Sequence, residues 1–188
     1  MNVPPQAITY FQDASKDGKN DSSLFCLALV AVEMSEWKTA SHYYDQLANK
    51  SLSSEIRNLS AEFSQTLSRS GEIPHKSPLV AGLLSTFIPG GGQVYSGHYV
   101  DALQAFAFVA SFSFASYLAY QHDKSSSSNY LLTAVSVSIT GLFHLGNIIG
   151  AERTATYYNQ RQRDIFLQEI RQKSNFPLLS SQFKISVI

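Results

Sequence analysis

Charge is what the middle of this chain lacks. Between Ser77 and Gly150 only Asp101, Asp123 and Lys124 are acidic or basic, whereas the stretch before it carries seven Lys/Arg against nine Asp/Glu and the stretch after it six against three. The formal net charge of zero therefore conceals an acidic front, an apolar middle and a basic tail, and says nothing about partners. Cysteine is nearly absent as well. Cys26 is alone, which excludes an internal disulfide and leaves the redox compartment unread. With no small residues ahead of it in Ser23-Leu24-Phe25, it reads as a small buried hydrophobe rather than a lipid-modified anchor. The first twenty residues hold two prolines and four charges but no apolar run of signal-peptide length. Either the front stays in the cytoplasm or a leader preceded this numbering.

Chemical motifs are missing too. His42, His75, His98, His122 and His144 have no metal-ligand spacing, and no nucleophile, base and orienter can be assembled. The glycines at 90–92 have no Lys-Ser/Thr after them and no strand before them, which excludes a phosphate loop. No enzymatic activity, cofactor, metal or nucleic-acid partner is expected.

What is present is apolar length. The residues from Ala102 to Tyr120 and from Tyr130 to Gly150 hold no Asp, Glu, Lys or Arg and meet the length rule for transmembrane helices, giving spans at 101–120 and 130–150 joined by a polar, flexible Gln121 to Asn129. Ahead of them, Pro78 to Ile88 forms an apolar helix of roughly 16 Å, about half of a hydrocarbon core, stopped by Pro89. The spans are diluted by Ser, Thr, Gly and Ala, so a soluble buried hairpin stays open as an alternative. Against it, Ala107, Ser111, Ala115 and Ala119 recur every four residues and Gly146 with Gly150 forms a GxxxG pair, a pattern that lets helices approach closely in lipid. Tyrosines bracket the spans, with Tyr95, Tyr99, Tyr157 and Tyr158 toward one interface and Tyr117, Tyr120 and Tyr130 toward the other.

Two polar features fall inside this region. Three glycines after Pro89 permit positive backbone angles and close approach, and Gln93 can bond carbonyls that the interrupted helix leaves free. Non-helical backbone at membrane depth requires cover by protein or by a water-filled cavity, so the loop packs on the hairpin, lies at the interface, or lines a pore. Ser136, Thr140, His144 and Asn147 form a polar stripe down the last span, which must face inward. It serves either interhelical hydrogen bonding or a ligand- or proton-sensitive His144. Asp101 and His98 at the helix mouth read as a cap.

The front, 1–76, reads as short amphipathic helices. Leu24, Leu27, Ala28 and Ala31 share one face, Trp37, Ala40, Tyr44 and Leu47 another, and Ser54 to Ser68 offers Ile56, Leu59, Phe63 and Leu67 as cover. The hairpin resembles one tetratricopeptide repeat, through Leu27-Ala28, Ala40, Tyr44 and Leu47, with Ser35 in place of the usual turn glycine and Leu52 in place of proline. One repeat cannot bury its face alone, so flanking helices, the membrane or another protein completes it, as a plain helical cap or as a docking surface. The tail, 151–188, reads as a basic helix to Gln172 with Tyr158, Ile165 and Ile170 facing a surface, then an alternation of Phe183, Ile185 and Val187 that can form a strand.

Ser77-Pro78, then Pro89-Gly90-Gly91-Gly92-Gln93-Val94-Tyr95 with Gly97, then Gly146-Asn147-Ile148-Ile149-Gly150-Ala151 and Tyr158-Asn159 resembles the signature of a group of small bacterial integral membrane proteins of unresolved function. In that group a Pro-Gly-x-Gly-Gln-x-Tyr turn and a later Gly-Asn-x-x-Gly-Ala segment recur, often behind tetratricopeptide-like helices. The resemblance covers Lys76 to about Leu167; Ile149 stands where Tyr is frequent in the group. It implies a bacterial inner-membrane, multi-pass protein and is silent on activity.

The sequence thus predicts an all-α membrane protein with a helical N-terminal cap, a broken or re-entrant short helix at 77–97 and a two-helix transmembrane hairpin within 77–150. The expected role is a non-enzymatic scaffold or assembly module, with other membrane proteins or a second copy, and the lipid bilayer, as partners. A small channel or transporter subunit using the glycine loop and His144 is the alternative. If the short helix re-enters, positive-inside places both ends in the cytoplasm; if it spans, the front is periplasmic.

Overall fold

A computed structural model of the chain describes Thr9, Asp13 and residues 21–126 and 129–173, and within these it is all-helical, with no strand. The helices are α1 (Asp21–Glu33), α2 (Trp37–Lys50), α3 (Ser54–Ser68), a short 3-10 turn (Arg69–Glu72), α4 (Pro78–Phe87), α5 (Gly91–Tyr95), α6 (Tyr99–Ser125) and α7 (Leu131–Lys173). They form two compact units, one of Met1–Ile73 with Gln162–Ile188 and one of Pro74–Arg161. The expected strand at Phe183, Ile185 and Val187 lies outside the described residues.

The first unit is built around large side chains. α1 buries Leu24, Phe25, Leu27, Ala28 and Ala31, and α2 buries Ala40, Tyr44 and Leu47 on the face their spacing sets. The turn between them places Ser35 at φ 59, in the left-handed region that favours glycine. α3 starts at Ser53, whose side chain accepts from the Ile56 amide at 3.4 Å, and brings Phe63 under Tyr44, with stacked rings 5.0 Å apart. The question of what completes this core has an internal answer. Phe166 and Ile170, near the end of α7, are buried in it, with Phe166 edge-on to Trp37 at 5.2 Å. Arg171 pairs with Glu33 above them, and that bond holds the guanidinium pKa above its usual value. Burying a side chain of this size contributes about 1.5–3 kcal/mol, so the α7 end is an integral part of the unit.

Three expectations change here. Residues 162–173 belong to the first unit rather than to a separate basic helical tail at 151–188, because Phe166 and Ile170 are the apolar cover the hairpin needs. Ile170 is therefore buried, while Ile165 is exposed. Cys26 is half-buried rather than in the core, and burial still raises its thiol pKa.

The second unit has the opposite composition inside. α4 begins at Ser77, which accepts from the Val80 amide, with Pro78 in the first turn. It ends at Phe87 because Ile88, preceding Pro89, takes the extended angles φ −128, ψ 105. α6 runs to Ser125, into the expected polar loop of Gln121 to Asn129, and the buried Asp123 carboxylate accepts from both the Thr133 amide and the Thr133 hydroxyl at 2.8 Å. What reads as flexible from composition is thus helix through Ser125, ordered by one carboxylate at the start of α7. α7 continues unbroken from Leu131 to Lys173, about 65 Å at 1.5 Å per residue, so the last span and the polar helix after it are one element. α6 and α7 are long and apolar enough to cross a membrane.

Candidate functional site

A dense polar cluster of the apolar middle lies where α4 stops. A helix end leaves carbonyls without partners, and here the last span supplies them. Asn147 Nδ2 donates to the Ser85 carbonyl at 3.2 Å and His144 Nε2 meets the Thr86 carbonyl at 3.1 Å. The glycine turn closes the rest. The Gly90 amide donates to Asn147 Oδ1 at 3.1 Å, and the Gly92 amide donates to the Ser85 hydroxyl at 2.9 Å, which donates to Gln93 Oε1 at 3.0 Å. Gln93 Nε2 then returns to the Asn147 carbonyl and Oδ1, both at 3.2 Å. Gln93 was expected to bond carbonyls of the broken helix; instead Asn147 and His144 do so, and Gln93 bridges Ser85 to Asn147.

Glycine is required at two points of this knot for different reasons. Gly90 has φ +87, and a Cβ there would sit 2.4 Å from the Ala102 carbonyl oxygen. Gly92 is ordinary helix, but its Cβ would fall 2.1 Å from the Ala81 oxygen and 2.6 Å from the Ala151 Cβ, so α5 rests directly on α4 and α7. Gly91 touches Leu84 less closely, and Gly97 is needed only for the left-handed turn into α6, at φ +81 with open space around it. Tyr95, packed on Ala81, Ala151 and Ala155, accepts from the Ser77 amide through its hydroxyl at 3.2 Å. Lys76 caps the same corner: its ammonium donates to the Tyr95 carbonyl and lies over the Tyr95 and Tyr158 rings at 5.1 and 4.6 Å. Asn159 holds the Lys76 backbone with a reciprocal pair of 2.8 Å bonds.

Three of the four stripe residues, Thr140, His144 and Asn147, bond to a neighbouring element. Thr140 shares a 2.9 Å hydrogen bond with Ser116, Ser136 turns back to its own helix, and His144 and Asn147 join the knot. His144 Nδ1 is buried with no hydrogen-bond partner among the described residues. The small-residue pattern does not make the hairpin contact. Ala107, Ser111 and Ala115 are exposed and only Ala119 is buried; Gly146 is exposed with nothing near its Cβ, and Gly150 touches only Gln93, at 3.7 Å. The face in use is Ala102, Val109, Ser116, Ala119 and Asp123, and the helices meet through stacked Phe112 and Phe143 rings 4.2 Å apart. Side chains rather than glycines set that spacing. His98 pairs with Asp101 at 3.2 Å, but its side chain makes no capping bond to the helix backbone.

Ser85, Ser116, Asp123 and Phe166 are the structural residues that spacing alone does not single out. Serines are too common in these spans to stand out. Phe166-Leu167 with Ile170 carries a helical apolar signal, but the basic context masks it. Among the described residues, no cluster of His, Cys, Asp or Glu suits a metal ion. A cavity of about 340 Å³ lies between α6 and α7, lined by Phe108, Val109, Leu142, Phe143, Gly146 and Asn147 among others. No protein-family model, curated protein or solved structure matches the chain.

Proposed function

We propose that the chain is a non-enzymatic, membrane-anchored assembly module, in which the second unit lies in a bilayer and the first is its interaction domain within a larger membrane complex. One observation carries the membrane part of this reading. Only 17% of the most apolar stretch of α6 and 6% of that of α7 is buried, whereas the core helix of a water-soluble protein is mostly covered. Leu103, Phe106, Phe114, Leu131, Leu142 and Leu145 all point outward, a surface far larger than the apolar patches soluble monomers carry. Lipid or another membrane protein must cover it. Exposed tyrosines at both ends of the hairpin, Tyr99 and Tyr157 at one and Tyr117, Tyr120 and Tyr130 at the other, suit two interfaces.

The register of α4 against α7 supports re-entry. Ala81 lies by Ala151 and Ala155, Ser85 by Asn147 and Thr86 by His144, and α5 returns until Tyr95 reaches Ser77. The turn therefore reaches about 9 Å below Gly150 before the chain comes back. With α4 and α6 starting at one end, Lys76, Arg153 and Arg161 flank that end and only Lys124 the other, which favours a cytoplasmic location for it. A bacterial inner membrane follows from the signature resemblance. The test is flotation with liposomes and resistance to carbonate extraction, followed by purification in mild detergent. Co-purification with another membrane protein or a second copy is expected; a soluble monomer, or a partnerless one in detergent, refutes the proposal.

The buried Nδ1 of His144, which has no hydrogen-bond partner among the described residues, favours a second reading, a small channel or transporter subunit. Liposome flux abolished by Gln93→Ala or His144→Ala would establish it, and absence of flux in the unmodified protein would remove it.

A further inference from the structure

We propose that the groove between α6 and α7 holds one acyl chain of an anionic phospholipid whose phosphate is met by Arg153; the inference rests on the membrane reading above. Protein interiors leave few voids larger than a water molecule, yet about 340 Å³ stays open here, walled by the stacked Phe108 and Phe143 and opened by Gly146, the residue with no side chain and nothing within 4 Å of where one would be. The lining is almost wholly apolar, because the polar atoms of Asn147 are already bonded inside the knot. Such a groove on a lipid-facing surface takes methylene chains rather than a polar ligand. The headgroup preference comes from the same helix. Arg153 lies seven residues beyond Gly146, within about 20° of the same face and about 10 Å further along the axis, past the end of the apolar run at Gly150. It is exposed and forms no ion pair among the described residues: the neighbouring Glu152 lies against Gly82, and Asp101 at the start of α6 is paired with His98. A cation with no ion-pair partner among the described residues, one headgroup's reach above an open apolar groove, is the complement of a phosphodiester joined to an acyl chain.

The experiment uses the full chain in vesicles of phosphatidylcholine and phosphatidylglycerol, with a photoreactive group on the acyl chain of either lipid, and maps cross-links by mass spectrometry. Phosphatidylglycerol is expected to label the Phe108, Phe143 and Gly146 peptides about fivefold over phosphatidylcholine, the equivalent of ~1 kcal/mol for one surface cation. Arg153→Gln should bring the two lipids level, and Gly146→Leu should reduce groove labelling by both to that of the outer helix faces. Lys124→Gln, a cation at the opposite end, should leave the fivefold preference intact. Labelling spread evenly over α6 and α7, a preference insensitive to Arg153→Gln, or no labelling of the Phe108, Phe143 and Gly146 peptides by either lipid would each overturn the assignment. A chain that inserts but labels evenly fails the lipid site alone; a chain that does not float with the vesicles fails the membrane reading first.

Discussion

The two units of this chain solve the burial problem in opposite ways. In the first, the fully buried residues include five large ones, Phe25, Tyr44, Leu47, Phe63 and Leu67, beside the small Ala28, Ala40 and Ser60; in the second, they are small, Ala81, Ser85, Ala151 and Ala155, with Gln93 and Asn147 close behind. Most large apolar residues of the second unit, from Leu79 to Ile149, face outward, Val109 being buried. The first unit draws its stability from removing hydrocarbon from water. The second is held by close approach of small residues and a satisfied polar knot, the arrangement expected where surrounding hydrocarbon gives apolar side chains no reason to hide.

The sharpest way to break that comparison is a matched pair of truncations. Phe63→Ala should cost about 3–5 kcal/mol in denaturation of the full chain followed by fluorescence of Trp37, the only tryptophan, packed on Phe166 in the same core. Phe114→Ala, on an outward face at 63% exposure, should cost under about 0.5 kcal/mol in detergent melts followed by circular dichroism. Equal losses would erase the contrast. Glycines provide a second pair within the second unit. Gly92→Ala forces backbone apart and should destabilise by about 3 kcal/mol or more, while Gly146→Ala, in open space within a helix, should stabilise by about 0.5–1 kcal/mol, both read by the same melts.

The knot predicts a loss of about 2–3 kcal/mol for Asn147→Leu, because the Gly90 amide and Ser85 carbonyl are left buried without partners. Faster amide exchange should then be confined to residues 85–97. Unchanged exchange there would mean the bonds are not what holds the turn.

The smallest effect concerns Tyr44, whose hydroxyl is buried without a partner among the described residues and whose pKa burial pushes above the ordinary phenol value. A folded state that holds the proton more tightly has its full stability below the unfolded pKa of about 10 and loses it as pH rises past that point. Tyr44→Phe should match the parent within about 1 kcal/mol at pH 7 and surpass it only above about pH 10. A parallel alkaline decline in both proteins would place the responsible group elsewhere.

Legibility followed periodicity. The faces of α1, α2 and α3 were readable because apolar residues repeat at helical spacing there, and the α4 stop was readable because proline dictates the residue before it. The placing of Thr140, His144 and Asn147 on one face was readable for the same reason. The four-residue repeat of Ala107, Ser111 and Ala115 was misleading: small residues occur on several faces of α6, and spacing cannot say which face the neighbour occupies. The end of α6 was hidden because Asp123 looks like a loop residue until Thr133 is beside it.

By itself the sequence determined the helices, the apolar middle and the need for glycine after Pro89, since each follows from local dihedral preference or from the spacing of side chains along one element. Tertiary structure alone decided that Phe166 and Ile170 close the first core, that Asn147 terminates α4 and that Gly146 opens a groove instead of closing a contact. Those outcomes join residues tens of positions apart, and no local preference encodes which of several chemically acceptable partners lies within hydrogen-bonding or packing distance.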